Sequence, residues 1–153
     1  MTTVENVADF FLSKEAMSPK KLQKLVYYAY AWSIALLNDD VNDIHFRLFD
    51  SSIEAWVHGP VVPELYQKYK SYGWSDIPMI DNFDTSIFET EVLDVLEQVW
   101  SAYGSLTGNQ LEMISHQEKP WIIARNGVPA YAASSALISD WEMFVFYNEQ
   151  ANS

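Results

Sequence analysis

The stretch SPKKLQKLVYYAYAWSIALLN, Ser18 to Asn38, limits what this chain can become more than any other part of it. Ser18 is placed to cap the first free amides, and Pro19 suits a first helical position, where no N–H donor is needed. Neither Gly nor a further Pro follows before the stretch ends, so one long helix over about 18–38 is predicted. Leu22, Leu25, Val26, Ala29, Ser33, Leu36 and Leu37 recur at helical spacing, while Tyr27, Tyr30, Trp32 and Ile34 carry apolar surface round the sides. A surface helix is not apolar over so much of its circumference. This one is expected at the centre of a bundle, wet only over its first turn and a half at Lys20, Lys21 and Lys24, with its aromatics buried by neighbours.

Enough apolar material is present to build that bundle. Of 153 residues, 49% are hydrophobic and 15% aromatic, which excludes a disordered composition and suffices for one ordinary domain spanning 1–153. The longest nearly apolar run, Val26 to Leu37, is interrupted by Ser33 and falls short of the roughly twenty residues a membrane-spanning helix needs. The first residues include Glu5 and Asp9 and show no basic region followed by an apolar core, so the expected location is the cytoplasm. With no cysteine, disulfides, thiol catalysis, Cys-ligated zinc and iron–sulfur clusters are excluded. The net charge of −12 is uneven: residues 1–72 hold nine Asp/Glu and seven Lys/Arg, residues 73–153 twelve and two. Such a field repels a nucleic-acid backbone and favours a basic protein partner, although solubility alone also accounts for it.

Around the central helix the pattern predicts mostly further helices. Val4, Val7, Ala8, Phe11 and Leu12 share one face of a short helix over 4–14. Residues 44–57 mix alternating apolar residues with Phe and Trp and allow a short strand or hairpin, best over Ser52–Val57, ended by His58-Gly59-Pro60. Pro63 opens a helix closed at Gly73, and Trp74 to Asp84 reads as a surface loop. A helix capped by Thr85 or Ser86 runs to Tyr103-Gly104; a weaker one spans Ser105–Ser115, with Gly108 counting against it. Glu118 to Asn126 carries Pro120 in its first turn, and Ser134 or Ser135 starts a last helix through Leu137, Ile138, Trp141, Phe144, Val145 and Tyr147. The fold class is therefore mainly α.

Chemistry is sparse. His45, His58 and His116 form no metal-ligand pattern, and no cofactor is indicated. His116-Gln117-Glu118 resembles the HxE of zinc deaminases but lacks the two cysteines that site needs. No phosphate-cradling glycine loop or hydrolase elbow is present, and the acidic pairs fall in turns where solvation and capping explain them. His58 reads most simply as a hydrogen-bonded turn residue, and the tyrosines as core and interface packing, since stacking on nucleic acid needs accompanying positive charge.

Three segments taken together are recognisable: KLQKLVYYAYAW (Lys21 to Trp32), EAWVHGPVVPELYQKYKSYG (Glu54 to Gly73) and SHQEKPWIIAR (Ser115 to Arg125). In order and spacing they resemble the Panacea domain of SocA-like antitoxins, and the likeness extends from about Glu5 to Tyr147, with Ser115 where members often have Thr. The resemblance implies a compact, mainly helical domain without catalytic residues that neutralises a cognate protein toxin encoded beside it, commonly by direct binding. One branch acts instead as an adaptor delivering its toxin to an AAA+ protease, and the domain also travels on phages and mobile elements. Trp56, His58, Gly59, Pro60, Tyr66, Tyr69, Glu118, Pro120 and Trp121 lie in these motifs and, with Trp74, are the candidate partner-binding or motif residues. The first expectation is an antitoxin acting by direct binding. The alternatives are a proteolytic adaptor and an enzyme using His58 or His116.

Overall fold

A computed structural model describes residues 1–153. Its centre is helix α2, Pro19–Leu36, with Ser18 Oγ accepting from the Lys21 amide at 3.1 Å and Pro19 in the first turn. The helix is buried almost without interruption from Lys21 to Ala35. Helices α1 (Val4–Leu12), α3 (Pro63–Tyr69), α4 (Thr90–Tyr103), α5 (Gly108–His116) and α7 (Asp140–Ala151) all pack on it. Helix α6 (Lys119–Arg125) packs on α5 and α7 instead. The fold is mainly α, as expected.

The part of the 44–57 stretch that becomes strand is short, and it pairs where the sequence suggested a break. Strand β1 (Glu54–Trp56) runs antiparallel to β2 (Gly59–Val61), with Trp56 opposite Gly59 across a turn at Val57-His58. Gly59-Pro60 therefore begins a strand instead of ending one. Gly59 has φ +104°, which side-chain-bearing residues rarely adopt, and Pro60, which has no amide to offer, stands opposite Ala55. Residues 39–53 form neither helix nor strand. They are held by Asn38, whose Oδ1 accepts from the His45 and Phe46 amides at 3.0 and 2.9 Å and whose Nδ2 donates to the Ile34 and Phe46 carbonyls.

Several predicted boundaries move, each for a local reason. The last helix starts at Asp140, capped by Ser139, and not at Ser134 or Ser135. Residues 136–138 instead extend along the free edge of β1: the Ala55 amide donates to Ala136 O at 2.8 Å and the Ile138 amide to Ile53 O at 2.9 Å. Thr85 and Ser86 lie in a separate 3₁₀ turn capped by Asp84, and α4 begins only at Thr90. Gly108 does not weaken a helix interior, because it occupies the first position of α5 behind a Thr107–Gln110 capping box. A Cβ there would lie 3.0 Å from the Lys21 amide nitrogen. The 74–84 loop is irregular, as expected, yet Ile77 within it is buried and exchanges two backbone hydrogen bonds with Met17.

The wet start predicted for α2 is the largest correction. Lys21 is buried, its Nζ donating to Glu15 Oε1 and Gly104 O at 2.6 Å each, and Lys24 is only 1% exposed. Only Lys20 of the three remains partly solvated.

Leu25 is fully enclosed, whereas Leu36 at the end of the same helix is 42% exposed. Leu25→Ala is expected to lower the unfolding free energy by about 2–5 kcal/mol, against about 0.5 kcal/mol or less for Leu36→Ala. Urea titration of both variants checks this, and equal midpoints would contradict a core centred on α2.

Candidate functional site

One side of the molecule carries a groove of about 1020 Å³. Its floor is the first two turns of α2, and its walls are the β1–β2 turn, α3, the start of α5 and residues 133–135. The hairpin–α3 junction and α5 are tied to α2 by their own side-chain bonds. Gln23 anchors the hairpin–α3 junction by a two-way bond with Val62, Nε2 donating to Val62 O at 3.0 Å and Oε1 accepting from its amide at 2.9 Å. Lys20 Nζ bridges to α5 through Glu112 Oε1 at 2.7 Å and Asn109 Oδ1 at 3.0 Å. His58 Nδ1, at the tip of the hairpin, donates to the other oxygen of Glu112 at 3.0 Å. Partial burial would raise the Glu112 carboxyl, but the hydrogen bonds from Lys20 and His58 outweigh it and hold the group below its usual range.

Lys24 lies beneath Gly59. Its Nζ donates to Pro60 O at 3.0 Å, and a Cβ on Gly59 would come within 2.8 Å of Lys24 Cε and 2.9 Å of Ser115 Oγ. Only glycine lets the hairpin backbone descend this far onto α2 and α5. Burial disfavours the ammonium and pulls its pKa down to about 7, despite the opposing attraction of Glu112. Lys24, Lys20 and Glu112 did not figure among the sequence candidates. The available signal was spacing: Lys20, Lys24 and Tyr28 share one helical row, so a lysine on the row of a core tyrosine had to come near the interior.

Of the sequence candidates, five line the groove: Trp56, His58, Tyr66, Tyr69 and Trp74. Trp56 and Tyr66 meet edge to face with ring centres 5.0 Å apart, and Trp74 is 91% exposed, with Lys20 Nζ 6.0 Å from its ring centre. Gly59 and Pro60 are buried behind this surface and shape it from within. Glu118, Pro120 and Trp121 are not in the groove. Pro120 is buried in the first turn of α6, and Trp121 Nε1 donates to Trp56 O at 2.8 Å, bracing β1 from the other side. Glu118 points into an aromatic cluster: Tyr28 and Tyr147 both donate to its Oε1, at 2.8 and 2.9 Å, and Tyr147 OH also meets Tyr27 OH at 2.9 Å. Burial raises the Glu118 carboxyl, with the two tyrosine hydrogen bonds opposing, and burial likewise pushes Tyr103, stacked on Tyr28, up to about 12.

The two histidines once considered for catalysis are placed apart in role. His58 is exposed at the groove rim on Glu112, while His116 stacks on Trp121 at 4.1 Å between ring centres, and burial lowers its pKa. No three His, Asp or Glu side chains converge as a metal site. No helix is long and apolar enough to cross a membrane.

The fold and this groove define a mainly helical protein that presents aromatic side chains around a recess whose hairpin and α5 walls are fastened to α2. Residues 22–122 match the family model described as "Antitoxin SocA-like, Panacea domain", and the chain belongs to that family. The match begins in the first turn of α2 and ends in α6, so it contains the hairpin and 16 of the 22 residues that line the groove, but not Ser18 to Lys20 or residues 133–135. No curated protein and no solved structure matches the chain.

Two outcomes follow for stability. Gly59→Val is expected to destabilise more than Gly59→Ala, since both are strained at φ +104° and the larger side chain collides further with Lys24 and Ser115. Thermal melts of both variants check the order. Lys24 has a folded pKa far below its unfolded value of 10.5, so the unfolded chain binds the extra proton between these limits and stability rises with pH across that window. A gain on the order of 1–2 kcal/mol between pH 7 and 9 is expected by urea unfolding, and Lys24→Met should flatten it. A profile that stays steep in that variant would assign the slope to another group.

Proposed function

We propose that this chain neutralises a cognate protein toxin by direct binding and that the groove is the binding face. Membership of an antitoxin family supplies the class of partner, a toxin. The observation that carries the location is the set of aromatics left accessible on a braced wall. Trp56, Tyr66 and Trp74 keep surface open to solvent around one recess. The hairpin that carries Trp56 and the start of the helix that carries Tyr66 are held by bonds from Gln23, Lys24 and Trp121. Aromatic anchors on preformed surfaces dominate interface energies because little side-chain or loop entropy is lost when they are covered. A compact domain over the full chain is part of this reading, since one apolar cluster draws on α1 and α7 as well as everything between them.

The test is co-expression with the neighbouring open reading frame, followed by binding kinetics with the purified product. Rescue of growth in cells lacking AAA+ proteases is expected; rescue only when such a protease is present would replace direct neutralisation with adaptor action. Trp74→Ala should speed dissociation by about tenfold with little change in association, as for removal of a single interface anchor. Unaltered dissociation for both Trp74→Ala and Tyr66→Ala would move the binding face elsewhere.

A further inference from the structure

The groove's charge is opposite in sign to that of the chain. None of the 21 Asp and Glu residues lines it, whereas Lys20, Lys24, Lys70 and His58 all do. Glu112, the carboxylate shared by Lys20 and His58, sits behind them and outside the lining. Lys70 has no carboxylate within ion-pair distance, its Nζ donating only to the neutral Gln67 at 2.8 Å.

Lys24 adds an independent observation. It lines the groove floor, is 1% exposed and uses only one of its three N–H donors, on Pro60 O. A buried ammonium with donors to spare favours negative charge nearby, so a carboxylate held in the groove above it gains from its field without touching it.

Resting on the reading of the groove as the partner-binding face, we propose that it captures a short acidic segment of the partner protein. An Asp or Glu side chain pairs with the accessible ammonium groups of Lys70 and Lys20, with Lys24 adding positive potential from beneath the floor, and its apolar neighbours lie against Trp56, Tyr66 and Trp74. The sequence's overall acidity suggests a basic partner, but contact is made where the local charge is positive. Nucleic acid fits less well: residues 73–153 carry twelve carboxylates against two basic residues, and the chain's net charge of −12 repels a continuous phosphate backbone. A peptide bearing one or two carboxylates stays within the recess.

Phage-displayed random dodecapeptides selected on the intact chain supply the test. The enriched sequences should combine Asp or Glu with aromatic or aliphatic residues. Synthetic versions should bind the wild type and weaken by about tenfold or more on Lys70→Glu, and less on Lys20→Gln. Lys70 is exposed, so its variant is expected to keep the wild-type melting temperature and to report on binding alone. Enrichment of basic or uncharged peptides, no enrichment, or indifference to Lys70→Glu would each overturn the proposal. So would displacement of the peptides by a single-stranded DNA oligonucleotide of equal affinity. The function reading fails separately: if acidic peptides bind as described while Lys70→Glu and Trp74→Ala still neutralise the toxin at full strength, the groove takes acidic segments but is not the neutralising face.

Discussion

An eighteen-residue helix enclosed on nearly every side has no water for the polar atoms it carries, and this shortage organises the rest of the molecule. A buried donor or acceptor left without a partner costs about 1–3 kcal/mol, so each buried polar side chain on α2 has to find one, most often on another element. Gln23 reaches the hairpin–α3 junction, Lys24 the hairpin itself, Tyr27 the C-terminal helix and Tyr28 the carboxylate of Glu118. Ser33 returns its hydroxyl to the Ala29 carbonyl on its own helix. Apolar burial supplies most of the driving force, while these bonds fix which element lies against which stretch of α2.

The groove is a by-product of that fastening. The hairpin, α3 and the start of α5 all converge on the first turns of α2, and two glycines permit the closest approaches: Gly59 over Lys24 and Ser115, and Gly108 against the backbone at Lys21. The hairpin and α5 are therefore held in place on α2 by the chain's own bonds, an arrangement that reduces the ordering cost of binding. Among the residues with surface to spare at the edge are Trp74, Tyr66, His58 and Lys70, on elements whose inner faces are committed to the core.

Charge is distributed in two layers. Far from the protein the field is negative, set by twelve carboxylates against two basic residues in the second half of the chain. Inside the groove the lining is positive, and it screens itself only through Glu112. Long-range steering and local contact therefore follow different signs, and exposed charge acts over only about 8 Å at physiological salt. If the groove is the binding face proposed above, the surface a partner senses at a distance differs from the one that holds it.

The sequence by itself determined the central helix, the mainly helical class, most of the helices and the motifs that match the family. These are properties of local capping and of 3.6-residue periodicity, which the chain carries wherever it folds. Through the segments that resemble the family's motifs it also pointed to Trp56, Gly59, Tyr66 and Tyr69, and beside them to Trp74 in the irregular segment after Gly73. Tertiary structure alone decided the start of the last helix, since residues 136–138 extend only because β1 offers them an unpaired edge. It decided the separation of Glu118 and Trp121, which brace the interior, from the groove residues with which they share motifs. It also decided the fate of Lys24. A lysine reads as a wet residue in any window of sequence, and only the descent of a glycine backbone from a segment more than thirty residues away closes water off from it, a contact between distant segments that no local pattern encodes.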